Sequence, residues 1–197
     1  MRSYQRGKSI VWDFNPKHDK VSDLSKHISS MIQFSVRRGR PVIFLCIGTD
    51  TVVGDTLGPL VGTRLSQLLH SDLQVYGTLD KPVDASNIHQ TVKDIKSEFE
   101  YPLIIAVDAA LSTFPERAGL VTFSRDTLQP GAAIRDDLPE VGDFAICGVV
   151  LGGPDVCLSS NTVRLSDVMM QADFIAKGLY RAYHGIYSRI THNQTAV

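Results

Sequence analysis

The chain has 197 residues, 43% of them hydrophobic and 21% charged, and its 20 basic and 21 acidic side chains leave a net charge of -1. That length can bury the core of one domain, and the even balance gives no basis for a nucleic acid or an anionic membrane as partner. No apolar run reaches the ~18 residues of a membrane-spanning helix, and the amino terminus, MRSYQRGKSIVWDF, has no apolar stretch behind its basic residues, so no signal peptide is expected.

Residues 1–16 read as irregular, ending at Asn15-Pro16. From Asp19 to Arg38, Val21, Leu24, Ile28, Met31, Ile32 and Val36 recur at helical spacing, and Gly39 before Arg40-Pro41 stops that helix. PVIFLCI, 41–47, is a continuous β-rich apolar run, as expected of a strand covered on both faces. A glycine-rich bend follows, then a helix with Leu57, Leu60, Val61, Leu65, Leu68 and Leu69 on one stripe and Pro59 in its first turn. Asp72–Leu79 is predicted as a short strand and Asn87–Phe99 as a helix with Ile88, Val92, Ile95 and Phe99 inward.

PLIIAVD, 102–108, is the next buried strand, Gly119–Ser124 another, and DFAICGVVL, 143–151, a third. A long helix from about Arg164 to Ser188 closes the chain, with THNQTAV as a frayed tail. Met169, Met170, Phe174 and Ile186 on that helix serve either the core or an oligomer interface. Alternating helices and fully apolar strands predict a single-domain α/β three-layer sandwich, with a mostly parallel sheet and helices on both faces. The cysteines, Cys46, Cys147 and Cys157, lie in apolar stretches without metal-ligand spacing, which predicts reduced, buried thiols in a cytoplasmic protein.

Sites in open α/β sheets form beyond the carboxyl ends of the strands. Asp55 follows the strand at 41–47 through a loop, and Asp108 ends the strand at 102–108, so both point to one edge of the sheet. Asp55 can be read as a helix N-cap or as half of a carboxylate pair, and Asp108 as a strand-end polar residue or the other half. A phosphate loop is rejected. The glycines at 48, 54, 58 and 62 fit neither G-x-G-x-x-G nor G-x-x-x-x-G-K-[ST], and a carboxylate at the helix start repels phosphate. No G-x-S-x-G elbow occurs, and no local pattern places a histidine beside a cysteine.

GTDTVVGDTLGP, 48–59, resembles the glycine-loop-to-helix segment of the bacterial germination proteases, which degrade small acid-soluble spore proteins. IIAVDAALS, 104–112, resembles their strand ending in a second aspartate, and LQPGAAI, 128–134, a later loop. Taken together, the blocks are similar to short sporulation proteins of the YyaC type along most of the chain. Both groups share a fold with the hydrogenase maturation endopeptidases, the HybD-like fold.

The resemblance implies an intracellular endopeptidase or peptidase-like hydrolase of a spore-forming bacterium, acting in the mother cell or forespore on a protein or peptide substrate. Asp55 and Asp108 would be its catalytic pair. The loop carrying Gly48, Thr49, Asp50 and Gly54 would supply backbone donors or hold an extended substrate, and Asp143 would be a third acid if the loop before it folds back.

A different implication is a binding protein that keeps the fold without catalysis. The maturation endopeptidases recognise nickel with similarly placed acids and a histidine. By position alone, Asp55 and Asp108, with Asp80 and His89 as weaker candidates, are the groups that would hold a divalent metal. The germination proteases are longer, oligomeric and made as zymogens, and this chain shows no comparable propeptide.

Overall fold

The computed structural model describes residues 2–6, 9–68, 74–131, 138–154, 156–157 and 161–194, with side chains described over 10–188 of these. The predicted strand at 41–47 is β3, Val42–Cys46, buried at every position. The predicted helix before it is α1, Val21–Arg37. Gly39, at φ 74°, ends it as expected: the N–H groups of Arg38, Gly39 and Arg40 turn back onto the carbonyls of Ser35 and Val36. After β3 come a short 3-10 turn, Val53–Thr56, and α2, Leu57–Leu68. Next are β4, Gln74–Tyr76, and α3, Ile88–Glu98. β5 is Leu103–Ser112, β6 Val121–Ser124, β7 Phe144–Gly152, and α4 Leu165–Gln194.

Residues 1–16 were expected to be irregular, and here the structure differs. Arg2–Arg6 forms β1 and Ser9–Phe14 forms β2, an antiparallel hairpin whose second strand pairs with β6. The segment SIVWDF has too few apolar residues for a two-sided buried strand. It sits toward the sheet's edge, with Val11, Asp13 and Phe14 buried and Ile10 exposed.

The sheet runs β1-β2-β6-β7-β5-β3-β4. β4, β3, β5 and β7 are parallel, and β6 reverses. β2, antiparallel to β6, shares the direction of β7. The result is the expected mostly parallel three-layer sandwich.

Strand parity sorts the two cores. Val42, Phe44 and Cys46 of β3 and Leu103, Ile105 and Val107 of β5 face α1, α2 and α4. Ile43, Leu45, Ile104 and Ala106 face α3 and the segment around Leu128, Leu138 and Val141. On α4, Phe174 and Ile186 belong to the core while Met169 is exposed. Gly178 lets α4 lie close to α1, since a Cβ there would meet the Leu24 side chain at 2.6 Å. Among the described residues, no helix is long and apolar enough to cross a membrane. Of the cysteines only Cys46 is buried; Cys147 is half-buried and Cys157 exposed, against the expectation for all three.

Candidate active site

β3 pairs with β5 up to Cys46 opposite Val107, and the Ile47 N–H closes that ladder on the Val107 carbonyl at 2.7 Å. β5 then continues past the end of its neighbour, paired only with β7 among the strands. Asp108 is the first residue beyond that step. It is therefore not a strand end, as the apolar run suggested, but the point in β5 where full burial gives way to partial exposure. Asp108 is 7% exposed, and its Oδ1 accepts the Ala109 N–H at 2.8 Å.

Asp55 is brought to the same step by the loop after β3. Gly48 donates its N–H to Val83 at 2.8 Å, and Val83 bridges to Ile47 in parallel fashion, so the loop starts from a fixed point. Gly48 has φ 139°, and a Cβ there would lie 2.0 Å from the Asp55 carbonyl oxygen. Gly58 is equally constrained, its absent Cβ facing the Ile47 carbonyl at 2.0 Å. These two approaches seat the 3-10 turn and the start of α2 directly on the end of β3.

The N-cap of the turn is Val52, so Asp55 does not cap it. Its carboxylate reaches back instead, where Oδ2 accepts the Thr49 N–H at 3.1 Å. The Thr56 hydroxyl bonds the Val52 carbonyl at 3.0 Å and ties the turn down from below.

The electrostatics follow from this seat. Burial pushes the Asp108 carboxyl well above the ordinary carboxylate value of 3.8, and the negative charge on Asp55 pushes it further; only the Ala109 N–H opposes them. Asp55 is raised too, by burial first and by the charge of Asp84 last, against the lowering pull of the Thr49 N–H. Both acids are thus held above the ordinary carboxylate value, Asp108 the further, with the charge of Asp55 among its causes.

The loop residues expected to bind substrate divide into two groups. Gly48, Thr49 and Gly54 shape the turn: Gly48 and Gly54 are buried, and the N–H groups of Gly48, Thr49 and Thr51 are engaged inside the protein. Asp50 is exposed at the loop's crest.

Asp143 is at the wrong end of the sheet. Its Oδ2 accepts the Ile104 N–H at 2.9 Å, its own N–H donates to Ile104 at 2.7 Å, and Arg40 approaches Oδ1 at 3.4 Å. β5 and β7 are parallel, so the residue that opens β7 lies beside the opening of β5, about 13 Å along the strand from Asp108. Asp136 and Asp137, which share its acidic stretch, lie outside the described residues, as does part of the 128–134 block.

The weaker metal candidates do not join the pair. Asp80 is exposed in a tight turn, where the Thr78 N–H meets the Lys81 carbonyl, and His89 lines an open cavity on α3. Among the described residues, no three His, Cys, Asp or Glu side chains gather as a metal ion would require. Two carboxylates alone would leave a divalent cation to take its other ligands from water and substrate.

The residue that sequence reasoning missed is Asp84. It follows the Val83 bridge, and its Oδ1 accepts both the Ser86 N–H at 2.8 Å and the Ser86 hydroxyl at 2.6 Å. The sequence DASN before an amphipathic helix was the available signal for such a turn.

A protein of Bacillus subtilis (strain 168), named uncharacterized protein YyaC, is 41% identical over 159 residues, covering 79% of this chain and 77% of its own length. The crystal structure of the NiFe hydrogenase maturation protease HycI from Thermococcus kodakarensis KOD1 is similar at a TM-score of 0.45 and 18% identity, over 71% of this chain and 92% of that one. Residues 16–178 match the model of the family described as protein of unknown function, DUF1256. With most of its length inside that model, the chain belongs to the DUF1256 family.

Proposed function

We propose that this chain is an endopeptidase or peptidase-like hydrolase in which Asp55 and Asp108 share one proton. The observation that carries the reading is the placement of two acids at the carboxyl edge of the sheet, Asp108 buried on β5 just past the end of β3 and Asp55 on the turn that follows β3. In a hydrolytic cycle, ionised Asp55 takes a proton from water, and the water oxygen bonds to the scissile carbonyl carbon. Protonated Asp108 gives its proton to the carbonyl oxygen, which leaves a neutral tetrahedral diol. Asp55 then passes its proton to the leaving nitrogen as the C–N bond breaks. Asp108 recovers a proton from the diol, and the starting state returns.

The cellular setting we infer is the cytoplasm of a spore-forming bacterium. It is supported by the sporulation-protein resemblance and by the Bacillus subtilis relative. The test is digestion of small acid-soluble spore proteins and of a peptide library, with and without chelator, by wild type and by Asp55→Asn and Asp108→Asn. Cleavage by wild type that survives chelator and disappears in both folded variants is expected. Cleavage retained in both variants would remove the pair from the chemistry, and loss with chelator would make the same carboxylates metal ligands. No cleavage of any substrate would leave a binding protein that keeps the fold.

A further inference from the structure

The step that sets Asp108 also leaves part of β5 without a neighbour. Along a parallel strand, the N–H and C=O of one residue turn to one side and those of the next residue to the other. On β5 the odd-numbered residues turn toward β3: the Leu103 N–H donates to the Pro41 carbonyl at 2.7 Å, and the Val107 carbonyl accepts the Ile47 N–H at 2.7 Å. The even-numbered residues turn toward β7. There the Ile104 carbonyl accepts the Asp143 N–H at 2.7 Å, and the Ser112 carbonyl accepts the Gly153 N–H at 2.9 Å. The irregularity after Ala110 places its extra residue, Val150, on β7, so the alternation of β5 runs unbroken to Ser112.

Ala109 and Leu111 therefore turn toward the place that β3 vacates by ending at Cys46. The Ala109 N–H is held by Asp108 Oδ1 at 2.8 Å. Among the described residues, no hydrogen bond engages the Ala109 carbonyl, the Leu111 N–H or the Leu111 carbonyl. The loop after β3 does not supply one, since its N–H groups go elsewhere: Gly48 donates to Val83, Thr49 to the Asp55 carboxylate and Asp55 to Val52. From Ala109 to Ser112 the strand is partly exposed, where the residues before it are buried.

We propose that this open edge of β5 takes one extended segment of a peptide as an added strand, its main chain passing beside Asp108. An extended chain has the same alternation of donors and acceptors. Its residues two apart, about 6.6 Å, match Ala109 and Leu111 whichever way it runs. Unpaired main-chain groups at a sheet edge are a template for another strand, and pairing of this kind reads backbone before side chains. The ligand class is therefore an unfolded segment with free amide N–H groups at alternate positions. Ala109 follows Asp108 directly, so the paired segment reaches the acid without a hinge or lid. A second copy of the chain is the poorer occupant. The open stretch is short and lies mid-sheet, and the loops at 47–52 and 77–87 stand beyond β3 and β4, where the added sheet of another copy would have to pass.

The inference rests on the reading of the chain as a peptide hydrolase, but its test is main-chain pairing. The probe is acetyl-Gly-Thr-Val-Thr-Val-Thr-Gly-amide, with a series in which each inner residue in turn is N-methylated. Each peptide would be titrated into isotope-labelled wild-type protein and followed by amide resonances and hydrogen exchange. The Leu111 amide should shift, and its exchange should slow about tenfold at saturation, while the amides of β1 and β4 stay in place. N-methylation should abolish binding at alternate residues and spare the residues between. Leu111→Pro removes an N–H that no ladder uses, so the strand keeps its pairing with β7, and the affinity should fall about tenfold. Circular dichroism would check that variant, and the methylation series needs no variant at all.

No binding at millimolar peptide, even tolerance of N-methylation along the probe, or an unchanged affinity in folded Leu111→Pro overturns the proposal. So does a Leu111 shift that follows protein concentration without peptide, which would make a second copy the occupant. Binding with the alternating pattern but no proteolysis of any substrate would sink the hydrolase reading and keep the edge. Proteolysis with KM unmoved by Leu111→Pro would do the reverse.

Discussion

Replacing Asp108 by asparagine isolates the energetic consequence of burying an acid at this step in the sheet. In the unfolded chain Asp108 ionises near ~3.9. In the folded protein its value lies well above 3.8, from burial first and the Asp55 charge second. Between those values the folded state binds one proton that the unfolded state does not. The contribution is fully present below the unfolded value and is lost as pH rises through the folded one, at about 1.4 kcal/mol per pH unit.

Asparagine keeps an oxygen for the Ala109 N–H and carries no charge in either state. The stability of Asp108→Asn relative to wild type should therefore climb with that slope above about pH 4, then level off at the folded value. Urea unfolding across this range, at half-unit steps, reads the slope and the plateau, and the plateau divided by the slope gives the shift. In Asp55→Asn the Asp108 window should narrow, because one of its two raising causes is gone, yet persist, because burial is the larger. Parallel stability profiles for wild type and Asp108→Asn would refute the reasoning, since they would mean that Asp108 titrates as it does in water.

Gly48→Ala should cost about 2–4 kcal/mol in urea unfolding, because the new Cβ meets the Asp55 carbonyl oxygen at 2.0 Å and the backbone sits at φ 139°; a loss below about 1 kcal/mol would mean the loop simply shifts aside. Asp84→Asn removes a charge that raises Asp55, so the acid limb of the pH profile of kcat/KM should move to lower pH while the alkaline limb, set by Asp108, stays in place. An unmoved acid limb would detach Asp55 from it. Arg117→Met breaks the 3.0 Å pair with Asp13, whose side chains are 22% and 10% exposed. It should cost about 2 kcal/mol and speed amide exchange in β2; unchanged exchange there would show that the β6 ladder alone holds the hairpin.

The parts of the fold that were legible in the sequence are those where one residue pattern had one solution. VIFLC reads as a two-sided buried strand because nothing polar interrupts it, and α3 because Ile88, Val92 and Ile95 repeat at helical spacing. The amino-terminal hairpin was not legible, because RSYQR and SIVWDF are short and half polar and depend on pairing with β6, which is distant in sequence. That Asp55 and Asp108 share one edge of the sheet followed from direction alone, since each leaves a parallel strand toward it. Asp143 was misplaced by neglecting the same rule: a residue that opens a parallel strand belongs to the opposite edge. Asp84 escaped because DASN marks only a turn, and what brings that turn to the end of β3 is the Val83 bridge to Ile47, a contact distant in sequence.

The location of Asp108 inside β5, rather than at its end, explains how an acid at the carboxyl edge of the sheet can be deeply desolvated. A strand-end residue sits in a loop, where water and backbone donors lower its pKa. Asp108 has neighbours of the sheet on one flank, through Cys147 of β7, while β3 has already ended on the other. The gap left by β3 is filled by a turn whose own acid points back toward the loop, held by the Thr49 N–H. The glycines at 48 and 58 make that filling close enough for one charge to act on the other. A longer β3 would pair away the flank of β5 and separate the two carboxylates. The early end of that one strand is thus what leaves two desolvated acids at one sheet edge, both held above the ordinary carboxylate value and Asp108 the further.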